Sequence, residues 1–282
     1  MVKWWQGLIL GIVQGATEFL PISSSGHLAL IQNLFKNFQQ PGLLFDLCLH
    51  LATALAVVVY FRKELAGLIS GGRKELKLMS GSEKLELIRW NLILVIIISL
   101  IPTAIVGFAL KDFAESCFVE PLYVGGFLIF TGLILFSADY YARRAQNLFA
   151  QDPEIKRGLL IGLAQGISVL PGISRSGITI ATGIFTGIRG DYSARFSFLL
   201  SVPAILGASF ISLFQERAEL VRFSNQEILS YLLGMASAFL VGYFSIKLVF
   251  SAVRRIRLSW FGIYCLMAGS GSLILSLFNL WR

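Results

Sequence analysis

"GLILGIVQGATEFLPISSSGH" occupies Gly7–His27, and "GLLIGLAQGISVLPGISRSG" occupies Gly158–Gly177. The two lines are nearly the same, and both are apolar stretches broken in the middle. Pro21 and Gly26 interrupt the first; Pro171, Gly172 and Gly177 interrupt the second. Proline removes a backbone donor and pushes the residue before it out of the helical region. Each half is then a helix of about 10–15 residues, or roughly 15–22 Å. That falls short of a hydrocarbon core of about 30 Å. Two short helices joined by a polar break predict a re-entrant hairpin, a shape tolerated only where protein or a water-filled cavity covers the break. The two hairpins are expected over 5–35 and 158–188.

The rest of the chain agrees with a membrane setting. Of 282 residues, 56% are hydrophobic and 14% charged, and the mean hydropathy is +0.74. Asn91–Leu110 and Val124–Ala138 contain no charge at all. Spanning segments are expected at 45–61, 90–110, 122–141, 194–214, 228–250 and 258–280. A closed β-barrel would need period-2 alternation, which is absent. The N-terminus carries Lys3 and then apolar residues, as a signal peptide would, but Gln14 and Glu18 interrupt the run and no small-x-small site precedes Glu18. It is expected to be retained. Cys48, Cys117 and Cys265 lack metal or redox spacing.

The net charge of +8 has a plain source. Segments 62–89, 143–157 and 251–257 hold fourteen Lys and Arg, whereas the alternate connections 35–44, 111–121 and 215–227 hold four. Cytoplasmic loops collect such residues, so the charge marks topology and does not imply nucleic acid. With three spans per half, the second half lies upside down relative to the first. The chain thus reads as one all-α integral membrane domain over 1–282. It is an inverted-topology repeat of about 1–145 and 150–282, with six spanning helices and two re-entrant helical hairpins. Such repeats place their site where the broken segments meet.

Chemistry gathers at those breaks. Gln14 and Glu18 are four apart and share a helix face. Ser23, Ser24, Ser25 and His27 form one break and open the next half-helix; Ser174, Arg175 and Ser176 hold the matching place in the other repeat. A helix N-terminus with free N–H groups and hydroxyls suits an anion, and the arginine fork suits phosphate oxygens. A charge at mid-membrane costs about 2.5–3.5 kcal/mol even on the lenient scale, so it needs a purpose or a partner. A structural Glu18–Arg175 ion pair is the plainer alternative for those two, and helix packing is the plainer one for any single serine. Taken together the cluster favours a phosphate site. His50 lacks such company and reads as a packed or interfacial residue; Asp46 and Gln165 carry no clear sign.

These residues resemble the undecaprenyl-diphosphate phosphatase (bacitracin-resistance) family over nearly the whole chain. The family's first motif stands as Gln14-Gly-Ala-Thr-Glu18 followed by Phe-Leu-Pro-Ile-Ser-Ser24-Ser-Gly-His27. The second stands as Pro171-Gly172-Ile173-Ser174-Arg175-Ser176-Gly177-Ile178-Thr179. "FSFLLSVPAILGA" and "IPTAIVG" are similar to family sequence too. Many members have Glu where this chain has Gln14. Type-2 phosphatidic acid phosphatases share S-G-H and S-R elements, but their further His and Asp would fall on Ala181 and Phe185.

The resemblance implies a bacterial inner-membrane enzyme, its site open to the outer face. The enzyme would hydrolyse undecaprenyl diphosphate to undecaprenyl phosphate and inorganic phosphate, recycling the carrier of cell-wall precursors. Bacitracin would compete for that substrate. The resemblance also implies a divalent metal, Mg²⁺ or Ca²⁺, held by Glu18 with Gln14 as a candidate second donor. Under this reading Arg175 clamps phosphate oxygens, Ser24 is the candidate nucleophile and His27 its general base or acid. A metal-activated water is the other candidate nucleophile. Ser23, Ser25, Ser174, Ser176 and Thr179 would bind the phosphates. The rival reading is a flippase for a phosphorylated polyprenyl lipid, which needs a phosphate site but no nucleophile. Oligomeric state has no sequence signal here.

Overall fold

The computed structural model describes residues 3–34, 42–70, 82–144, 154–215, 225–254, 258–278 and 280. Among them are eleven helices and no strand. These are α1 Trp4–Phe19, α2 Ser24–Leu34, α3 Gly42–Tyr60, α4 Arg62–Ser70, α5 Ser82–Phe118, α6 Pro121–Arg144, α7 Ile155–Ile167, α8 Arg175–Phe185, α9 Gly190–Gln215, α10 Asn225–Arg254 and α11 Leu258–Leu277.

Five stretches are long and apolar enough to cross a membrane: Leu92–Phe118, Pro121–Arg144, Gly190–Ile211, Ile228–Val253 and Leu258–Leu277. The chain is therefore an all-α, multi-pass membrane protein. The sixth expected span, 45–61, is a shorter apolar helix, Leu44–Tyr60. It stops at Phe61 because Arg62 and Lys63 follow and open α4. The expected charged loop at 62–89 contains that helix, whose Glu64 meets Arg195 of α9 at 2.8 Å. Part of the loop, 71–81, lies outside the described residues, as do Lys36, Arg217, Arg222, Arg255 and Arg257 of the charge count. The connection expected at 111–121 is mostly helix, since α5 continues to Phe118 and a turn leads directly into α6. Lys111 and Glu115, one helical turn apart, sit at 3.8 Å on its surface.

Pro102 lies inside α5 and Pro203 inside α9. Neighbouring hydroxyls return hydrogen bonds to the backbone around them, which is how membrane helices accommodate proline. Thr103 Oγ1 donates to the Ser99 carbonyl at 2.8 Å and to the Gly162 carbonyl at 2.9 Å, tying α5 to α7. Ser201 Oγ donates to the Phe198 carbonyl at 2.7 Å in α9.

Small residues decide which helices meet. α1 packs on α10 through Gly7, Gly11 and Gly15, whose missing side chains leave room for the backbone of Ser230, Gly234 and Ala238. α7 packs on α5 through Gly158, Gly162 and Gly166, against Val95, Ser99 and Val106. The two glycine rows have the same spacing of four. α6 and α11 meet glycine to glycine: a Cβ on Gly125 would stand 2.9 Å from the Gly269 oxygen, and one on Gly132 the same distance from the Gly262 oxygen. Close backbone approach of this kind suits packing in a lipid solvent, where apolar side chains gain little by leaving the tails. Beneath the breaks, Phe19, Val57, Leu135, Ile180, Phe198 and Ile246 form a buried apolar cluster shared by α1, α3, α6, α8, α9 and α10. Ile105, Phe108, Phe210, Phe244 and Met267 are exposed on the outside, as lipid-facing residues are.

Candidate active site

Both breaks form as their sequences direct. In the first, α1 ends at Phe19 and α2 begins at Ser24. Ser23 adopts a positive φ of 70°, uncommon for a residue with a side chain. Its hydroxyl oxygen accepts from the Gly26 N–H at 3.2 Å and from the Gly172 N–H of the other break at 3.1 Å. In the second, Gly172 turns the chain at φ 104°, and Ser174 Oγ caps α8 by accepting from the Gly177 N–H at 3.1 Å. Thr131 of α6 braces that turn, donating to the Gly172 carbonyl and accepting from the Ser174 N–H. Ser176 Oγ reaches back to the Leu20 carbonyl at 3.0 Å. The two breaks are thus bonded directly to each other, with the second break donating and the first accepting.

Glu18 is the hub where they meet. Its Oε1 accepts from Arg175 Nη2 at 2.7 Å. Its Oε2 accepts from Ser24 Oγ at 2.5 Å and from Gln14 Nε2 at 2.9 Å. The carboxylate is only 6% exposed, so Arg175 supplies the opposite charge that burial requires. An ion pair alone would satisfy a structural role. The cluster offers more, because Arg175 Nη1 and Gln14 Oε1 are buried and find no partner among the described residues. The residues bonded to Glu18 thus include a free guanidinium donor, a free amide oxygen and a serine hydroxyl, groups that suit an anion and its counterion.

Of the residues read from the sequence, Gln14, Glu18, Ser24 and Arg175 come together directly. His27 lies on the first turn of α2, three residues from Ser24 and so on the same face. Its Nδ1 is 2.7 Å from the Ser23 carbonyl and its Nε2 is 2.7 Å from the Tyr264 hydroxyl of α11. The Ser24 proton therefore points to Glu18 and not to His27. Ser25 is partly exposed, with its hydroxyl 3.4 Å from that of Ser23. Ser23, Ser174 and Ser176 are buried and serve the breaks themselves. Thr179 sits a turn deeper, donating to the Arg175 carbonyl and facing Ser197 Oγ at 2.6 Å.

Two residues lie at the site that the sequence did not assign to it: His50, read there as packed or interfacial, and Tyr264, which was not named. His50 is not a bystander: its Nε2 stands 3.6 Å from Glu18 Oε2, while Nδ1 donates to the Asp46 carbonyl at 2.8 Å. Asp46 in turn accepts from Gln32 Nε2 at 3.1 Å. The signal was a polar pair four apart on an otherwise apolar helix, which had to face something polar. Tyr264 sits in an apolar helix and gave no such sign.

The hub is built around a single carboxylate, Glu18, and no group of three His, Cys, Asp or Glu able to hold a metal occurs among the described residues. The donor set still fits a hard cation such as Mg²⁺, which takes one or two protein oxygens and completes its shell with water and substrate phosphate. Gln14 Oε1, unpartnered beside Glu18, is the oxygen that fits it best.

A family model described as "Bacitracin resistance protein BacA" matches residues 7–271. The chain is 41% identical over 276 residues to the undecaprenyl-diphosphatase of Desulfosudis oleivorans, covering 95% of this chain and 97% of that one. It is 36% identical over 273 residues to the undecaprenyl-diphosphatase of Carboxydothermus hydrogenoformans, covering 96% and 97%. That of Methanosphaera stadtmanae is 39% identical over 286 residues, covering 98% and 99%. With both breaks inside the matched region, the chain belongs to the bacitracin resistance protein BacA family.

Proposed function

We propose that this protein is a membrane phosphatase that hydrolyses undecaprenyl diphosphate to undecaprenyl phosphate and inorganic phosphate. The observation that carries the reading is the Glu18 hub, where a serine hydroxyl, an arginine with an unused donor and an unused amide oxygen meet between two helix starts. The diphosphate head sits at the breaks and the polyprenyl tail lies along the apolar helices.

The terminal phosphate docks on Arg175 Nη1, which stays bonded as charge develops on its oxygens. Ser24 Oγ bonds to the terminal phosphorus and its proton passes to Glu18 Oε2. The bond to the bridging oxygen breaks, and the electron pair leaves with the lipid monophosphate, already a stable anion. Water then attacks the phosphoserine, with His27 Nε2 taking its proton. Inorganic phosphate departs and Ser24 recovers its hydrogen. Gln14 Oε1 and a lone pair of Glu18 would hold Mg²⁺ or Ca²⁺, which when bound offsets the charge of the diphosphate. Ser25 is placed to donate to the phosphates, while Ser23, Ser174, Ser176 and Thr179 keep the helix starts that cradle them.

The chain is one domain built as an inverted-topology duplication, of about 1–145 and 150–282, with α1–α2 and α7–α8 as re-entrant hairpins. The matched glycine rows of α1 and α7, each lying on a helix of the other half, support this reading, as do the matched serine caps at Ser23 and Ser174. α3 serves as the sixth span: its 19 residues rise about 28 Å, close to the core thickness. The protein lies in the bacterial inner membrane with the site open to the outer face, where bacitracin would compete for its substrate. A flippase would need the phosphate site without a hydroxyl aligned on a carboxylate. Ser24→Ala separates the two: turnover by purified protein disappears while substrate binding survives. Substantial turnover in the variant would transfer the attack to water, and lipid flipping without phosphate release would favour the rival.

A further inference from the structure

We infer that Tyr264 is a positioning residue for this reaction, holding His27 in the tautomer whose Nε2 is the basic nitrogen. The inference rests on the phosphatase reading for its consequence, but its geometry stands apart. A carbonyl oxygen only accepts, so the 2.7 Å contact between His27 Nδ1 and the Ser23 carbonyl requires the hydrogen on Nδ1. A neutral imidazole has one N–H, which leaves a lone pair on Nε2. The Tyr264 hydroxyl, 2.7 Å away, must then be the donor. The two rings are nearly parallel, 12° apart, with centroids 5.5 Å apart.

Histidine free in water carries its proton mainly on Nε2, the reverse of this arrangement. Two fixed groups enforce the change, the Ser23 carbonyl on one side and the phenol on the other. Both are well anchored. Ser23 is held by its bonds to Gly26 and Gly172. Tyr264 is held because α11 is locked to α6 at Gly262 and Gly269, and because its neighbour Cys265 is buried with its thiol 3.6 Å from the Pro21 carbonyl. α11 therefore grips the first break at two points, Pro21 and His27. Tyr264 is also 44% exposed, unlike the buried Ser23, Ser174 and Ser176 of the breaks. A water molecule that took the place of the phenol would meet a nitrogen already bare of hydrogen. Without the phenol, the Ser23 carbonyl alone must hold the tautomer.

The chain has two histidines, so imidazole ¹⁵N spectra of the full-length protein in lipid nanodiscs are assignable by comparison with His50→Gln. In the resting protein at alkaline pH, His27 is expected to carry hydrogen on Nδ1 and to show a hydrogen-bonded, unprotonated Nε2. Tyr264→Phe removes one oxygen and preserves the ring. It should shift the Nε2 resonance or admit the Nε2–H form. It should also lower kcat about three- to tenfold, the worth of one ordinary hydrogen bond, with KM unchanged. An Nε2–H tautomer in the wild type would overturn the inference at once, whatever the activity. So would a Tyr264→Phe protein with unaltered kcat, or one with raised KM and normal kcat, which would make the phenol a substrate contact. If purified wild type releases no phosphate, the proposed function fails while the tautomer measurement still decides the geometry.

Discussion

At the scale of single residues, the site turns on which atoms of Glu18 and Gln14 are already engaged. Glu18 is shared by Arg175, Ser24 and Gln14, whereas Gln14 keeps its amide oxygen free. A neutral amide oxygen holds Mg²⁺ or Ca²⁺ less firmly than a carboxylate. Gln14→Glu should therefore preserve activity and lower the metal concentration for half-maximal rate. Glu18→Gln should nearly abolish the rate at every metal concentration. Titrating activity with Mg²⁺ and Ca²⁺ in both variants checks this; identical curves for Gln14→Glu and wild type would move the metal elsewhere. Gln14, Glu18, Ser24 and Arg175 were legible in the sequence because polar groups in an apolar helix are costly and must meet. The directions of their hydrogen bonds were not. Nothing in the order of residues says that Ser23 and Ser174 turn inward as caps, that Ser24 turns to Glu18, or that His50 and Tyr264 arrive from distant helices. Those facts arise from tertiary approach.

At the scale of elements, the breaks were the most legible feature, since Pro21, Pro171 and Gly172 disfavour helix locally whatever surrounds them. The length of α5 was not, because Lys111 and Asp112 look like loop residues until the helix carries them past the apolar stretch. α4 was missed for the same reason: its Arg62, Lys63 and Glu64 look like loop residues, yet Glu64 is bonded to Arg195 of α9. Which helices pair follows from glycine rows whose meaning appears only in three dimensions. At Gly162 a Cβ would collide with the Ser99 carbonyl and stand 2.9 Å from Pro102 Cγ, with backbone that has little freedom to yield. Gly162→Ala should cost roughly 1–3 kcal/mol by overpacking. Gly107→Ala, on a face with nothing within 4 Å, should be within about 0.5 kcal/mol of wild type. Thermal unfolding in detergent separates them, and equal melting temperatures would mean that α5 and α7 are not held at this distance.

At the scale of the whole molecule, the account requires two halves of opposite orientation whose breaks share one centre. The Lys and Arg asymmetry supports the proposed orientation. A cysteine-reactive probe applied from outside should reach a cysteine placed near residue 115 and miss one near residue 80; the reverse pattern would invert the topology. That the breaks share one centre is the claim on which everything else depends, and Arg175 is the charged side chain that reaches across to Glu18. Lysine keeps the charge there but loses the planar fork, whose two terminal nitrogens can serve Glu18 and phosphate at once. The most direct test is the rate of inorganic phosphate release from undecaprenyl diphosphate by purified wild type and Arg175→Lys, both shown to be folded. The account predicts release by the wild type and a loss of about 10²–10³-fold in kcat for the variant. No release by the wild type, or near-equal rates for the two proteins, would contradict it.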